Sequence, residues 1–274
     1  MAIIAICRGT KSGGTELAEC LGRGLEYPIV GEEVVRDAAS HLGVSVEGLE
    51  KKLSGRPTLW EPFSTMRRTY LLALQAALAE RVVEGDGRLI YHGLGGGALL
   101  RDLPASLSVR CIAPMERRVC AVMRGTEMEP AEAERYIREL DQARVRWVKA
   151  IYGHDVADPS LYDVVVNLDG MPIDGVCGMI ARMIRQPEYE ITDAVRQGLE
   201  NFRTACRVKR ALVEDEELRG YALDAEAEDG RVVITGEAPL RSSGAMGNRM
   251  TELARSVPGV RDVRLKVEWF DPYP

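Results

Sequence analysis

Apolar positions follow two different rhythms along the chain, and the change between them divides it. Ala2-Ile3-Ile4-Ala5-Ile6-Cys7 is an unbroken, uncharged apolar run. A short β-branched run of this kind predicts a strand buried on both faces. A Gly/Ser/Thr loop follows, and then Glu16 to Leu21 carries apolar residues at helical spacing. Tyr27 to Gly31 predicts a second strand, and Glu32 to Leu42 a helix ending at Gly43. Ser45 to Pro62 is polar and irregular, with Gly55, Pro57 and Pro62 as breakers. Phe63 to Glu84 predicts a long helix with Leu71, Leu74, Leu78 and Val82 on one face, stopped by Gly85. Arg88 to His92, Leu107 to Ala113 and Leu161 to Asn167 predict strands three to five. Pro114 to Arg124, Pro130 to Tyr152 and Pro172 to Arg185 predict the remaining helices of this half. Alternation of strands and helices implies an α/β fold: a parallel sheet with helices on both faces. Ligands of such sheets sit at the carboxyl ends of the strands, where the first loop lies.

The rhythm changes near Gln186-Pro187-Glu188-Tyr189, which reads as a linker. Thr192-Asp193 can cap a helix running towards Leu212. Gly220 to Ala227 alternates, Asp229-Gly230 is a hairpin signal, and Arg231 to Glu237 is the returning strand. Arg241 to Ser256 predicts a helix. Gly259 to Trp269 predicts a last strand with Val260, Val263, Leu265, Val267 and Trp269 as its apolar positions. The order α-β-β-α-β predicts a separate small α+β domain. The expected domains are therefore residues 1–186 and 192–270.

The chain has 274 residues, 46% of them hydrophobic and 28% charged, with a net charge of −6. That balance argues against a nucleic-acid or membrane-surface partner. No apolar run approaches the roughly 18 residues of a membrane span. Met1 leads straight into the first strand without a signal peptide, so a cytoplasmic protein is expected. The six cysteines show no C-x-x-C spacing and read as reduced, mostly buried thiols. His41, His92 and His154 lie far apart, so no zinc site is expected.

The candidate chemistry lies in the first loop, Arg8-Gly9-Thr10-Lys11-Ser12-Gly13-Gly14-Thr15. Strand, glycine-rich loop and helix in this order make a phosphate cradle, because backbone N–H groups converge on the positive end of the helix. Against the pattern G-x-x-x-x-G-K-[ST], Gly13 and Thr15 fit, Arg8 stands at the first glycine and Gly14 at the lysine. An ordinary turn with glycines for packing is the alternative.

Several segments, in order, resemble the cytidylate kinase-like family of nucleoside monophosphate kinases over residues 1 to about 186. They are Ile6 to Glu19 with Ser12-Gly13-Gly14; Tyr27 to Gly31 with Val34 to Ala38; Ile90 to Leu100; Val109 to Arg118; Asp141-Gln142-Ala143-Arg144 with Tyr152-Gly153; and Asp158 to Asp163 running into Val166-Asn167. The resemblance implies a P-loop kinase fold and phosphoryl transfer from ATP, with Mg²⁺, to a nucleotide substrate, CMP or dCMP first. Residues Arg8 to Thr15 would hold the ATP phosphates, with Thr15 as Mg²⁺ contact or, alternatively, helix cap. This branch often lacks the lysine, and Arg8 and Lys11 are the available substitutes. Arg36 matches the position that holds the acceptor monophosphate, and Asp37 beside it reads equally well as a plain helix charge. Gly93 lies near the acceptor site, where the family commonly shows Gly-Arg and this chain has Gly93-Leu94. Arg118, Arg124, Arg138, Asp141 and Arg144 lie on two helices resembling the lid hairpin and its return, and would carry catalysis. Arg118, Arg124, Arg138 and Arg144 read otherwise as surface charges, His92 as structural, and Trp60 and Phe63 as packing or base-stacking residues.

Residues from about 192 to 268 resemble a BON domain, through Gly230 to Gly236 and Ala254 to Val263. That implies a protein or apolar-ligand partner. The competing functional expectation is a nucleotide-binding regulatory protein with little turnover, reporting to a partner through this domain.

Overall fold

A computed structural model describes residues 2–46, 63–93, 95–100, 103–240 and 243–271. Trp60, Leu94 and the irregular stretch beyond residue 46 lie outside the described residues. The chain divides into two units: residues 2–33 with 85–192, and residues 34–46 with 63–84 and 193–271.

The first unit holds a five-stranded parallel sheet in the order β2-β3-β1-β4-β5. The strands are β1 (Ile3–Arg8), β2 (Ile29–Val30), β3 (Leu89–Tyr91), β4 (Ser106–Ile112) and β5 (Val164–Asn167). β1 is central, and Ile3, Ile4 and Ile6 are fully buried, as an uninterrupted β-branched run requires. Its neighbour β4 runs in register with Cys7 opposite Arg110 and Arg8 opposite Cys111. That register sets Arg110 on the same face of the sheet as Cys7. Helix α1 (Gly14–Leu25) leaves the loop after β1 and buries Leu17, Ala18 and Leu21 against the sheet core.

Helices α2 (Glu32–His41) and α3 (Phe63–Glu84) are assigned to the second unit from residue 34 onward. The first unit continues with α4 (Gly96–Leu99), α5 (Met115–Met123), α6 (Pro130–Tyr152) and α7 (Ile173–Met183). α5 and α6 pack as a hairpin through Val122, Ala133 and Ile137.

The second unit adds α8 (Asp193–Glu214), β6 (Asp224–Glu228), β7 (Arg231–Pro239), α9 (Ser243–Ser256) and β8 (Asp262–Phe270). These realise the α-β-β-α-β order, with β6 and β7 antiparallel and β7 and β8 parallel. Asp229 and Gly230 both take positive φ in the hairpin turn, 48° and 77°.

α3 differs from the one-faced helix that its leucines predict. Ala73, Ala76, Ala77 and Ala79 are buried as well as Leu74, Leu78 and Val82. Alanine carries too little apolar area to mark a face in a sequence pattern, yet it lets another helix approach closely. That helix is α8: Ala76 and Ala79 pack with Cys206 and Phe202. Arg207 clamps Glu80 through Nε and Nη2, the latter at 2.6 Å. α2 is tied to α3 by Asp37 and Arg81 at 2.8 Å. No helix among the described residues is long and apolar enough to cross a membrane.

Candidate active site

The loop between β1 and α1 closes with Gly13 at φ 91°, a left-handed conformation that costs other residues energy. Its space is also taken: an added Cβ would lie 2.7 Å from Leu168 Cδ1. The first-turn amides of α1 have no intrahelical acceptor and point out of the helix end. Lys11 sits exposed at the apex with φ 57°, so the position usual for glycine is occupied here by a residue that bears the strain.

Gly14 explains the missing lysine. An added Cβ there would lie 2.8 Å from Arg8 Cβ and 2.9 Å from Arg8 Cδ. The side chain of Arg8 fills the place where a loop lysine would start, so the two cannot coexist in this backbone. Arg8 instead turns its Nε–H onto His92 Nε2 at 2.5 Å. That bond requires an unprotonated Nε2 and so a neutral imidazole. Burial, reinforced by the charges of Arg8 and Arg144, pushes the His92 pKa from 6.5 down to about 4. Burial and then the charge of Arg144 likewise push Arg8 below its usual value.

Thr10 is the junction of the site. Its N–H donates to Asp141 Oδ1 at 2.8 Å and its hydroxyl donates to the same oxygen at 2.7 Å. Arg144 Nη1 donates to the Thr10 hydroxyl at 2.6 Å, and Arg118 Nε donates to the Thr10 carbonyl at 2.7 Å. Arg118 Nη2 also forms a very short ion pair with Asp141 Oδ2. Arg144 lies 3.7 Å from Asp141, one turn away on the same helix face. Burial would raise the Asp141 pKa, but its bonds from Arg118 and Thr10 together hold it below the usual carboxylate range. α5, α6 and the loop thus meet through one carboxylate and two guanidiniums.

Gly9 lies under Arg118, whose Nη2 would be 3.3 Å from an added Cβ. Ser12 is buried and donates to the carbonyls of Gly9 and Cys111, tying the loop to β4. Thr15 is exposed in the first turn of α1. Among the described residues no three His, Cys, Asp or Glu side chains gather as a metal site. A Mg²⁺ ion at this loop would take the Thr15 hydroxyl and phosphate oxygens, the donor set Mg²⁺ uses in phosphoryl-transfer sites.

Other candidates are placed elsewhere. Arg124 ends α5, exposed, with Nε 3.3 Å from the Cys120 carbonyl. Arg138 is exposed and pairs with Glu134. Each lies six residues from its counterpart in the cluster, about 9 Å along the helix axis. Arg36 is exposed on α2, and Asp37 is engaged by Arg81. Gly93 lines a cavity of about 150 Å³ with Cys7, Arg8, Arg144 and two residues that sequence reasoning missed, Arg110 and Tyr162. The one signal for Arg110 is a charge inside a strand of otherwise uncharged residues.

Replacing His92 with glutamine tests the electrostatics directly. The folded pKa lies below the unfolded value, so the contribution of neutral His92 is complete above pH 6.5. It is lost as pH falls towards 4. The wild-type melting temperature should fall over that window, and His92→Gln, which still accepts from Arg8, should flatten this part of the fall. An equal slope in both proteins would remove His92 from the account.

The model of the cytidylate kinase-like family matches residues 3–170, and the BON domain model matches residues 203–269. A cytidylate kinase of Sulfurisphaera tokodaii is 26% identical over 179 residues, covering 65% of this chain and 92% of that protein. A cytidylate kinase of Methanopyrus kandleri is 29% identical over 162 residues, covering 57% and 79%. The crystal structure of an uncharacterized protein from Eubacterium ventriosum shares the fold, with TM-score 0.52 and 16% identity over 67% of this chain and 98% of that one.

Proposed function

The chain belongs to the cytidylate kinase-like family, and on that premise we propose that it transfers the γ-phosphoryl group of ATP to a nucleoside monophosphate, CMP or dCMP first. The observation that carries the reading is the Thr10 junction, where the phosphate loop is joined to Asp141, Arg144 and Arg118. Phosphoryl transfer asks the protein for positioning and charge neutralisation rather than covalent chemistry. The loop amides would hold the donor phosphates. Arg118 and Arg144 would face the charge that spreads over the transferred group. Asp141 keeps both guanidiniums and the loop in one arrangement, so their order precedes substrate binding. Mg²⁺ would neutralise phosphate oxygens beside Thr15. Arg36 is exposed, and no carboxylate among the described residues pairs with it; it keeps the acceptor-binding role that the resemblance implies.

The space taken by Arg8 beside Gly14 favours a second reading, a nucleotide-binding regulator with little turnover. One assay separates the two: coupled ADP release with ATP, Mg²⁺ and each of CMP, dCMP, UMP, AMP and GMP. ADP release that depends on CMP or dCMP is the expected result. Absence of turnover with all five, while ATP still raises the melting temperature, would overturn the kinase reading in favour of the regulator.

A further inference from the structure

The cavity behind the phosphate loop carries more positive charge than the structure compensates. Arg8, Arg110 and Arg144 all line it, and Asp141 is its one carboxylate among the described residues. That carboxylate already accepts two bonds from Thr10 and pairs with Arg118. Arg110 rests on the Tyr162 ring at 5.4 Å from its centroid, with Nη1 3.3 Å from the phenolic oxygen. Neither Arg110 nor Arg8 pairs with a carboxylate among the described residues. The neighbouring phenol and thiol stay neutral. Burial pushes Tyr162 up to about 12 and raises the Cys7 thiol above its usual value. Arg8 feels Glu16 and Glu32 only through space, and Arg144 shares Asp141 with Arg118; partly buried guanidiniums so thinly compensated are costly, and an anion between them recovers that cost.

We propose that Arg110 is a substrate-binding residue, which with Arg8 and Arg144 forms a subsite for a phosphate monoester dianion, the phosphate of the acceptor nucleotide. The chemistry follows from the fork of donors that each guanidinium offers to planar or tetrahedral oxyanions. A volume of about 150 Å³ suits a phosphate with the adjoining sugar edge rather than a whole nucleotide. Tyr162 acts as a positioning residue: its ring face and hydroxyl hold the Arg110 side chain across the cavity floor. The subsite rests on the kinase reading only for the identity of the ligand, not for its charge.

The test is calorimetry on the full chain with inorganic phosphate, CMP, cytidine and ATP, comparing wild type with Arg110→Met and Arg110→Gln. Phosphate and CMP should bind wild type, and cytidine should bind much more weakly. Both variants should lose phosphate and CMP affinity by about tenfold or more, with ATP affinity changed less than about twofold. Arg110→Gln is read alone if the methionine variant does not fold. Undiminished phosphate and CMP binding in a folded variant would overturn the subsite, as would a loss confined to ATP, which would assign Arg110 to the donor phosphates. The kinase reading fails separately. Arg110-dependent phosphate binding without turnover keeps the subsite and removes the kinase. Turnover of CMP with KM unchanged in Arg110→Gln keeps the kinase and removes the subsite.

Discussion

Replacing Arg144 with alanine is expected to lower turnover of ATP with CMP by about 10²–10³-fold, the cost of removing one preorganised donor from a transfer site. Arg144 Nη1 holds the Thr10 hydroxyl at 2.6 Å and faces the same cavity as Arg8. It sits on α6, outside the strand and loop backbone that would cradle the ATP phosphates. The fold should therefore survive, because Thr10 keeps both its bonds to Asp141. ATP should still raise the melting temperature while kcat falls. A kcat within threefold of wild type would remove Arg144 from the chemistry. Loss of ATP binding would instead assign it to the donor side.

The second large effect concerns stability. Ending the chain after Thr192 should leave the remainder poorly folded, with a melting temperature lower by about 10 °C or more, or no cooperative transition. The composition change near Gln186 suggests a self-standing first domain, and the last segment of the second unit begins at Asp193. The same unit, however, contains α3, whose Ala76 and Ala79 pack on Cys206 and Phe202 of α8. Truncation exposes that alanine face and leaves Glu80 without Arg207, its partner at 2.6 Å. Arg68 also loses the Tyr221 carbonyl, to which it donates at 2.5 Å. Circular dichroism and calorimetry of residues 1–192 give the answer. Cooperative unfolding at the wild-type temperature would show that α3 needs no partner from the C-terminal segment. Arg207→Ala offers a milder form of the same experiment, expected to cost about 1–2 kcal/mol for a partly exposed bidentate pair.

The role of α3 was hidden for a definite reason. Leu71, Leu74, Leu78 and Val82 announce a buried face; Leu74, Leu78 and Val82 are buried and Leu71 is half-buried. Alanine announces nothing, since it is common on any helix surface. Only the packed structure reveals that small residues were placed where another helix crosses. The lid arginines show the same limit in another form. Arg118, Arg124, Arg138 and Arg144 are alike as sequence, but height along the helix selects Arg118 and Arg144 for the Thr10 junction. Arg124 reaches only its own helix, and Arg138 pairs with Glu134.

What the sequence by itself determined was local or periodic. The apolar run of β1, the glycine loop, the alternation of strands and helices, and the α-β-β-α-β order of the second unit are all written in short windows. Their cause is the geometry of the backbone and the area that must leave water. The tertiary structure alone decided which charges meet. Thr10 and Asp141 are joined across 131 positions. Arg110 faces the cavity of Arg8 and Arg144 because the register of β4 on β1 sets it beside Cys7. The place of the absent lysine is filled by Arg8, whose side-chain Cβ and Cδ leave no room for a Cβ at Gly14. Electrostatics acts over a few ångströms of space, and chain closure brings together side chains that no window of sequence contains.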